Sequence, residues 1–185
     1  DVAVKMLKPA LSSTKDYAER FMREANVATS LNNPHCVTVY DFGQTHDGLL
    51  YLAMELLEGR ALAEVLGDQS LSLRDVLTVA TQICSALAAA HDGNIVHRDL
   101  KPDNVFLVDV PGGAVFCKVL DFGIAKVMNT EETPVTQTGQ IFGTPAYMSP
   151  EQCHSSDVDQ RSDLYSLGII LYELVSGHPP FCHKT

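Results

Sequence analysis

Three polar groups sit at fixed offsets in the segment His97–Leu107, which reads HRDLKPDNVFL: Asp99, Lys101 and Asn104. Pro102 forbids a regular helix through the middle, because it has no N–H and its ring clashes with the preceding turn. The segment is therefore expected as a loop that runs into an apolar strand, Val105–Val108. A second acid, Asp121 in the tripeptide DFG, follows after a short hairpin. One acid to orient a hydroxyl, one cation, one amide and one further acid are the groups that phosphoryl transfer needs. Asp121 and Asn104 offer oxygen ligands to Mg²⁺, Lys101 meets phosphate charge, and Asp99 takes the proton of the attacking hydroxyl.

Four motifs stand in order along the chain: VAVK at Val2–Lys5, HRDLKxxN at His97–Asn104, DFG from Asp121, and SPE at Ser149–Glu151. A lone HRD or DFG would be a chance loop; four in this order are specific. Their spacing resembles the eukaryotic-type protein kinase family, over nearly the whole chain. The lysine two places after Asp99, with GTPAYMSPE at Gly143–Glu151, is similar to the serine/threonine branch. SPEQ at Ser149–Gln152 and SDLYSLG at Ser162–Gly168 resemble its bacterial members.

The resemblance implies an α+β, bilobal fold. A small lobe, residues 1–57, would carry an antiparallel sheet and one helix, and a mainly helical large lobe would fill residues 58–185. It implies transfer of the ATP γ-phosphate to Ser/Thr hydroxyls of protein substrates with Mg²⁺ (or Mn²⁺), with a dimer as the means of autophosphorylation. Two rivals differ in class. A non-catalytic kinase-like binding module usually lacks the strand lysine, the loop aspartate or the DFG aspartate, and Lys5, Asp99 and Asp121 are all present. A small-molecule phosphotransferase of the aminoglycoside-kinase type lacks GTPAYMSPE, which docks a polypeptide.

Composition agrees. The 185 residues are 45% hydrophobic, enough for one good core, and the formal net charge is −10, which argues against a nucleic-acid footprint. No apolar run looks like a membrane span and no signal peptide opens the chain. Five cysteines, Cys36, Cys84, Cys117, Cys153 and Cys182, form no CxxC and read as reduced thiols of a cytoplasmic protein. His178, Cys182 and His183 match no zinc spacing. The chain opens inside a strand and closes just past a helix. It reads as a piece of a domain truncated at both ends, without the glycine-rich loop and without the arginine that pairs with Glu151 in the family. Alone it is expected to be poorly folded and inactive.

The elements must then position the chemistry. Val2–Leu7 alternates as a strand, with Ala3 and Lys5 on one face and Val2, Val4 and Met6 on the other. Taken alone, a strand lysine is a solvated edge residue. The VAVK setting instead leaves room for adenine at Ala3 and sends Lys5 to the phosphates. Asp16–Leu31 is a helix with Tyr17, Phe21, Ala28 and Leu31 on one stripe and Glu24 on the same stripe. A carboxylate there needs a partner, and Lys5 is the natural one; Glu19 falls on the outer face. Val37–Gly43 and Leu49–Leu56 read as strands around the turn His46–Gly48. MELLEG at Met54–Gly59 resembles the family's hinge: backbone near Glu55–Leu57 would bond the adenine edge, with Met54 guarding the pocket behind and Phe106 beneath the ring.

Leu62–Leu66 is a short helix with Gly67 past its end. Leu73–His91 is a scaffold helix on the stripe Val76, Ala80, Ile83, Leu87 and Ala90, ended by Gly93, with His91 a surface or helix-end residue. Val115–Leu120 returns as a strand to Asp121. The threonine-rich stretch from Ile124 to Gln140 resembles an activation loop. Thr136 and Thr138 would be its autophosphorylation sites and Arg98 the phosphate's partner, while Thr144 would dock substrate by bonding Asp99 and Lys101. Arg161–Ser176 is apolar nearly all round, a buried central helix, and its Asp163 would accept from the backbone around His97 and Arg98.

Overall fold

The computed structural model describes residues 1–7, 15–68, 71–122, 145–153 and 158–181. Its first sheet has three antiparallel strands, β1 (Val2–Met6), β2 (Val39–Gln44) and β3 (Leu50–Glu55), in the order β1-β3-β2. Lys5 stands opposite Leu52 and Ala3 opposite Met54. Alternation holds as expected. Val2, Val4 and Met6 are exposed, while Ala3 and Lys5 are half-buried on the face that turns to α1 (Lys15–Ala28). Phe21 and Ala25 of α1 close a small core with Leu7, Leu50 and Leu52.

Helix α1 stops at Ala28, three residues short of the expected end. The Thr29 and Ser30 hydroxyls donate back to the carbonyls of Asn26 and Val27 at 2.7 and 2.6 Å, which draws the last turn off the helical path.

A second three-stranded sheet joins β4 (Gly59–Ala61), β5 (Val105–Val108) and β6 (Cys117–Val119) in that order. Between β4 and β5 the chain forms α2 (Leu62–Asp68) and α3 (Leu73–Asp92). Helix α2 runs through Gly67 instead of ending before it. Helix α3 starts on Ser72, whose hydroxyl accepts from the Asp75 N–H. Its buried face is Val76, Val79, Ile83, Ala86, Leu87 and Ala90, so Val79 takes the central place expected of Ala80. It ends one residue late, and Asn94 rather than Gly93 takes the left-handed turn, with φ 59°. By length and composition α3 is apolar enough to cross a membrane, contrary to the expectation of no such run. Its buried face belongs to the main core with Leu62, Leu100, Val105, Val119, Phe122 and Ile170.

Past Pro145–Tyr147, a single 3₁₀ turn, come the short α4 (Pro150–Cys153) and α5 (Gln160–Ser176). Asp159 caps α5 by accepting from the Arg161 N–H, and Gly177 ends it in the left-handed conformation, φ 81°, donating to the Glu173 carbonyl. Among the described residues α5 is buried on one face only, through Ser162, Asp163, Ser166, Leu167, Ile169, Ile170 and Leu174. Leu164, Tyr172 and Val175 are exposed, so the expectation of burial all round is not met here. Apolarity says which side chains gain from cover; it does not supply the cover.

Candidate active site

The loop 97–101 has no regular structure of its own, so its backbone groups must be held by side chains. Asp163, on the first turn of α5 and only 1% exposed, does most of this. Its Oδ2 accepts from the His97 N–H and its Oδ1 from the Arg98 N–H, both at 2.9 Å, as expected. Its third donor was not foreseen. His91 Nε2 reaches Oδ2 at 2.8 Å, so His91 is a helix-end residue, as one of the two expectations had it, but it is largely buried and part of the site's support, not on the surface.

His97 is fully buried, and its two ring nitrogens have opposite duties. A carbonyl can only accept, so Nε2 carries the proton and donates to Leu120 O at 2.8 Å. A backbone N–H can only donate, so Nδ1 accepts from Asp99 N at 3.3 Å. The ring also packs edge-on against Phe122, centroids 5.0 Å apart. Leu120 in turn donates its N–H to Asn104 O at 2.9 Å. Both backbone groups of Leu120 are thus tied to the loop. The return bond of the Leu120–Asn104 pair is missing, because the Asn104 N–H donates to Lys101 O at 2.9 Å and Leu120 O is taken by His97. So β6 ends at Val119, one residue before the expected end, and Asp121 follows at φ 59°.

These anchors bring Asp99, Lys101 and Asn104 together. Asp99 Oδ2 accepts from Lys101 Nζ at 2.9 Å and from Asn104 Nδ2 at 3.2 Å. Asn104 Nδ2 also donates to the Asp99 carbonyl at 2.7 Å. The Asn104 amide nitrogen is thereby committed, and its oxygen is the atom left for a cation. Asp99 Oδ1 has no donor among the described residues, so it is the oxygen available to an incoming hydroxyl.

On the other side of the site Lys5 Nζ lies 2.6 Å from Asp121 Oδ2, with the two side chains 34% and 25% exposed. The expected partner of Lys5, Glu24, lies on α1, but its side chain is outside the described residues, as are Thr136, Thr138 and Thr144. Met54 packs on the small core. Glu55 faces inward, where its Oε1 takes Lys118 Nζ at 2.7 Å and the Thr38 N–H at 2.6 Å. Burial works to raise the Glu55 carboxyl, but the lysine and the N–H together outweigh it and hold it below its ordinary value. Leu57 follows, half-buried, and neither its N–H nor its C=O has a partner among the described residues. Phe106 is half-buried on β5, opposite Ala61 and Lys118.

A family profile described as "Protein kinase domain" matches residues 1–185. The chain belongs to the protein kinase family. It is 44% identical over 183 residues to "Serine/threonine-protein kinase pkn3" of Myxococcus xanthus, covering 97% of this chain and 34% of that protein. It is 44% identical over 185 residues to "Serine/threonine-protein kinase PknA" of Mycobacterium tuberculosis, covering 97% and 42%. The crystal structure of the Mycobacterium tuberculosis PknI kinase domain superposes with a TM-score of 0.76 at 32% identity, covering 97% of this chain and 65% of that one. The fold is therefore the bilobal α+β fold of protein kinases. The kinase chain spans well under half the length of these two curated relatives.

Three residues that support the candidate site or its surroundings escaped sequence reasoning: His91, Lys118 and Gln152. His91 stands at i+15 from Val76 on α3, and only its place in the last turn, facing α5, distinguishes it. Lys118 alternates with the buried Cys117 and Val119 on β6 and so points to the opposite face, where Glu55 meets it. Gln152 could have been found, because S-x-x-Q is a helix-capping pattern.

Proposed function

We propose that the protein carrying this chain is an ATP-dependent serine/threonine protein kinase, and that Asp99 is its catalytic base. The observation that carries this reading is the fixing of Asp99 by Lys101 and Asn104 through one oxygen, with the other left for a hydroxyl. Such a base must be positioned before its proton affinity matters. Lys101 would also meet charge on the transferred phosphoryl group.

On the nucleotide side, the N–H and C=O of Leu57, two residues past Glu55 and without a partner among the described residues, suit the edge of an adenine ring. Ala3 and Phe106 would flank the ring and Met54 would close the back of its pocket. Lys5 would exchange Asp121 for the α- and β-phosphates, with Glu24 then holding the lysine. One carboxylate, Asp121, and one amide oxygen, Asn104, form a small donor set. It fits Mg²⁺, which takes one or two carboxylates from a protein and the remaining oxygens from phosphates and water. When bound, such an ion neutralises phosphate charge; Mn²⁺ has similar needs.

Regulation would run through Arg98. It is half-buried, and its guanidinium has no acidic partner among the described residues. A phosphate on Thr136 or Thr138 would carry about −1.5 to −2 charges and offer the bidentate acceptor that arginine prefers. Thr144 would dock substrate near Asp99 and Lys101. The two sheets, one within residues 2–55 and the other starting at Gly59, favour a lobe boundary near residue 57, with a small lobe at 1–57 and a large one at 58–185, although Cys36 belongs to the larger core. Four free cysteines among the described residues agree with a cytoplasmic domain. Protein substrates, and a dimer for autophosphorylation, follow from the same reading.

The test uses the full-length protein with ATP, Mg²⁺ and a serine/threonine peptide. Asp99→Asn should lower turnover by about 10²–10⁴-fold and leave ATP affinity unchanged. Mass spectrometry of the active protein should find phosphate on Thr136 or Thr138. Near-normal phosphorylation by Asp99→Asn would remove Asp99 from the role, and a wild-type protein that releases no ADP would remove the kinase reading itself.

A further inference from the structure

Asp99 reaches its position through the peptide bond that joins it to Arg98, and both ends of that peptide are held by side chains. Its N–H donates to His97 Nδ1. Its carbonyl, Arg98 O, accepts from Gln152 Nε2 at 2.6 Å. The peptide needs holding, because Arg98 sits at φ 68°, a conformation that costs a residue with a side chain about 1–3 kcal/mol. Asp163 fixes the N–H on the other side of Arg98. Gln152 alone comes from the SPEQ segment at 149–152.

The same glutamine has a second duty, and the two duties separate by atom. Ser149, Pro150, Glu151 and Gln152 start α4 in the pattern S-x-x-Q, with proline at the first helical position. Gln152 Oε1 accepts from the Ser149 N–H at 3.0 Å and lies 3.2 Å from the Ser149 hydroxyl, which is the return half of a capping box. Ser149 is fully buried. The orientation of the amide follows from its partners: the Ser149 N–H can only donate and the Arg98 carbonyl can only accept. Glutamate would serve the cap as well as glutamine does. Only the amide can also donate to Arg98.

We propose that Gln152 is a positioning residue for catalysis: it locks the SPEQ segment to the Arg98 carbonyl and so couples the placement of that segment to the orientation of Asp99. The inference rests on the kinase reading above and assigns this residue a part in it. Substrate-docking chain on the N-terminal side of SPEQ is then linked to the base by one side chain. A displacement of SPEQ releases the peptide before Asp99 even while Asp163 and His97 keep their bonds.

Two near-isosteric variants of the full-length protein separate the duties. Gln152→Glu keeps the acceptor for Ser149 and loses the donor to Arg98; Gln152→Met loses both. Turnover is measured at saturating ATP and peptide, with KM for ATP and the urea midpoint in parallel. The expected result is a fall in kcat of about ten- to a hundredfold in both variants, since an ångström of misplacement costs about that much. KM for ATP should not move, and the Gln152→Glu protein, whose urea midpoint falls modestly for the one lost bond, should remain fully folded under the assay conditions. Wild-type kcat in Gln152→Glu overturns the inference, because the cap alone would then account for the residue. A loss confined to Gln152→Met does the same, as does a Gln152→Glu protein that is partly unfolded under the assay conditions. If Gln152→Met fails to fold, Gln152→Glu decides alone. A wild-type protein without ATP turnover overturns the kinase reading and this inference together, whereas an active wild type with an unimpaired Gln152→Glu overturns only the latter.

Discussion

Replacing Asp163 tests whether the loop that carries the proposed base is held from α5. Its carboxylate takes three donors, the N–H groups of His97 and Arg98 and the imidazole of His91, all at 2.8–2.9 Å in a site only 1% exposed. Asp163→Asn keeps one acceptor oxygen and turns an NH₂ towards at least one of these donors. One buried N–H is then stranded at about 1–3 kcal/mol, and the surviving bonds lose their charge assistance. Asp163→Ala strands all three, and about 3–5 kcal/mol is the usual scale for breaking such a buried charged network. Domain stabilities are about 5–15 kcal/mol, so the alanine variant removes a large fraction and the asparagine variant leaves a folded protein to assay. In that folded protein Arg98 loses one anchor of its left-handed backbone, and kcat should fall by at least about tenfold. The measurements are urea unfolding and peptide phosphorylation on the full-length protein. An Asp163→Asn protein with wild-type midpoint and wild-type kcat would refute the argument that α5 holds the loop through these bonds.

The Glu55–Lys118 pair predicts a pH dependence. The Glu55 carboxyl is held below its ordinary value of 4.5 in the folded protein, so its pairing stabilises the fold above that value and is lost as pH falls through the lowered one. Wild type should exceed Glu55→Gln in urea midpoint at neutral pH, with the gap closing in acid; a gap that does not change with pH refutes the assignment. Gly59→Ala should be severely destabilising, since φ is 143° and an added Cβ would lie 2.0 Å from the Leu107 carbonyl oxygen. A Gly59→Ala protein with wild-type thermal stability would show that β4 can move away from β5.

What the sequence made legible divides along a physical line. Ala3 and Lys5 fall on the buried side of β1 because alternation depends only on the strand's own geometry. Gly177 ends α5 because a residue at φ 81° favours glycine whatever surrounds it. Asp99, Lys101 and Asn104 meet because five residues and one proline leave the loop few paths. Where tertiary partners compete, local reading slipped. The end of α1 yielded to two hydroxyls, and the end of β6 yielded to the His97 ring, which takes the Leu120 carbonyl, and to Lys101, whose carbonyl takes the Asn104 N–H. Val79 rather than Ala80 takes the centre of the α3 face, where it joins Cys117 and Val119 of β6 in the core.

His91 and Gln152 show the limit more sharply. Each is polar and sits near a helix end, and its own neighbourhood offers at most a local role, such as the cap that Gln152 makes with Ser149. Each also bonds a residue far away in sequence, Asp163 at a separation of 72 and Arg98 at 54. No periodicity in the chain encodes such a distance. The reason for the bonds is nevertheless physical and general. A loop that must keep three consecutive N–H groups, those of His97, Arg98 and Asp99, away from water can satisfy none of them within a helix or sheet. Acceptors must therefore arrive from elsewhere, as Asp163 and the His97 ring do, and the carbonyl between them needs a donor, which Gln152 supplies. An irregular loop whose backbone is saturated by side chains is thus rigid without regular structure. That rigidity leaves Asp99 oriented by Lys101 and Asn104, and with Asp99 as the proposed base it would make each distant donor or acceptor a point at which turnover is lost without touching the reacting groups.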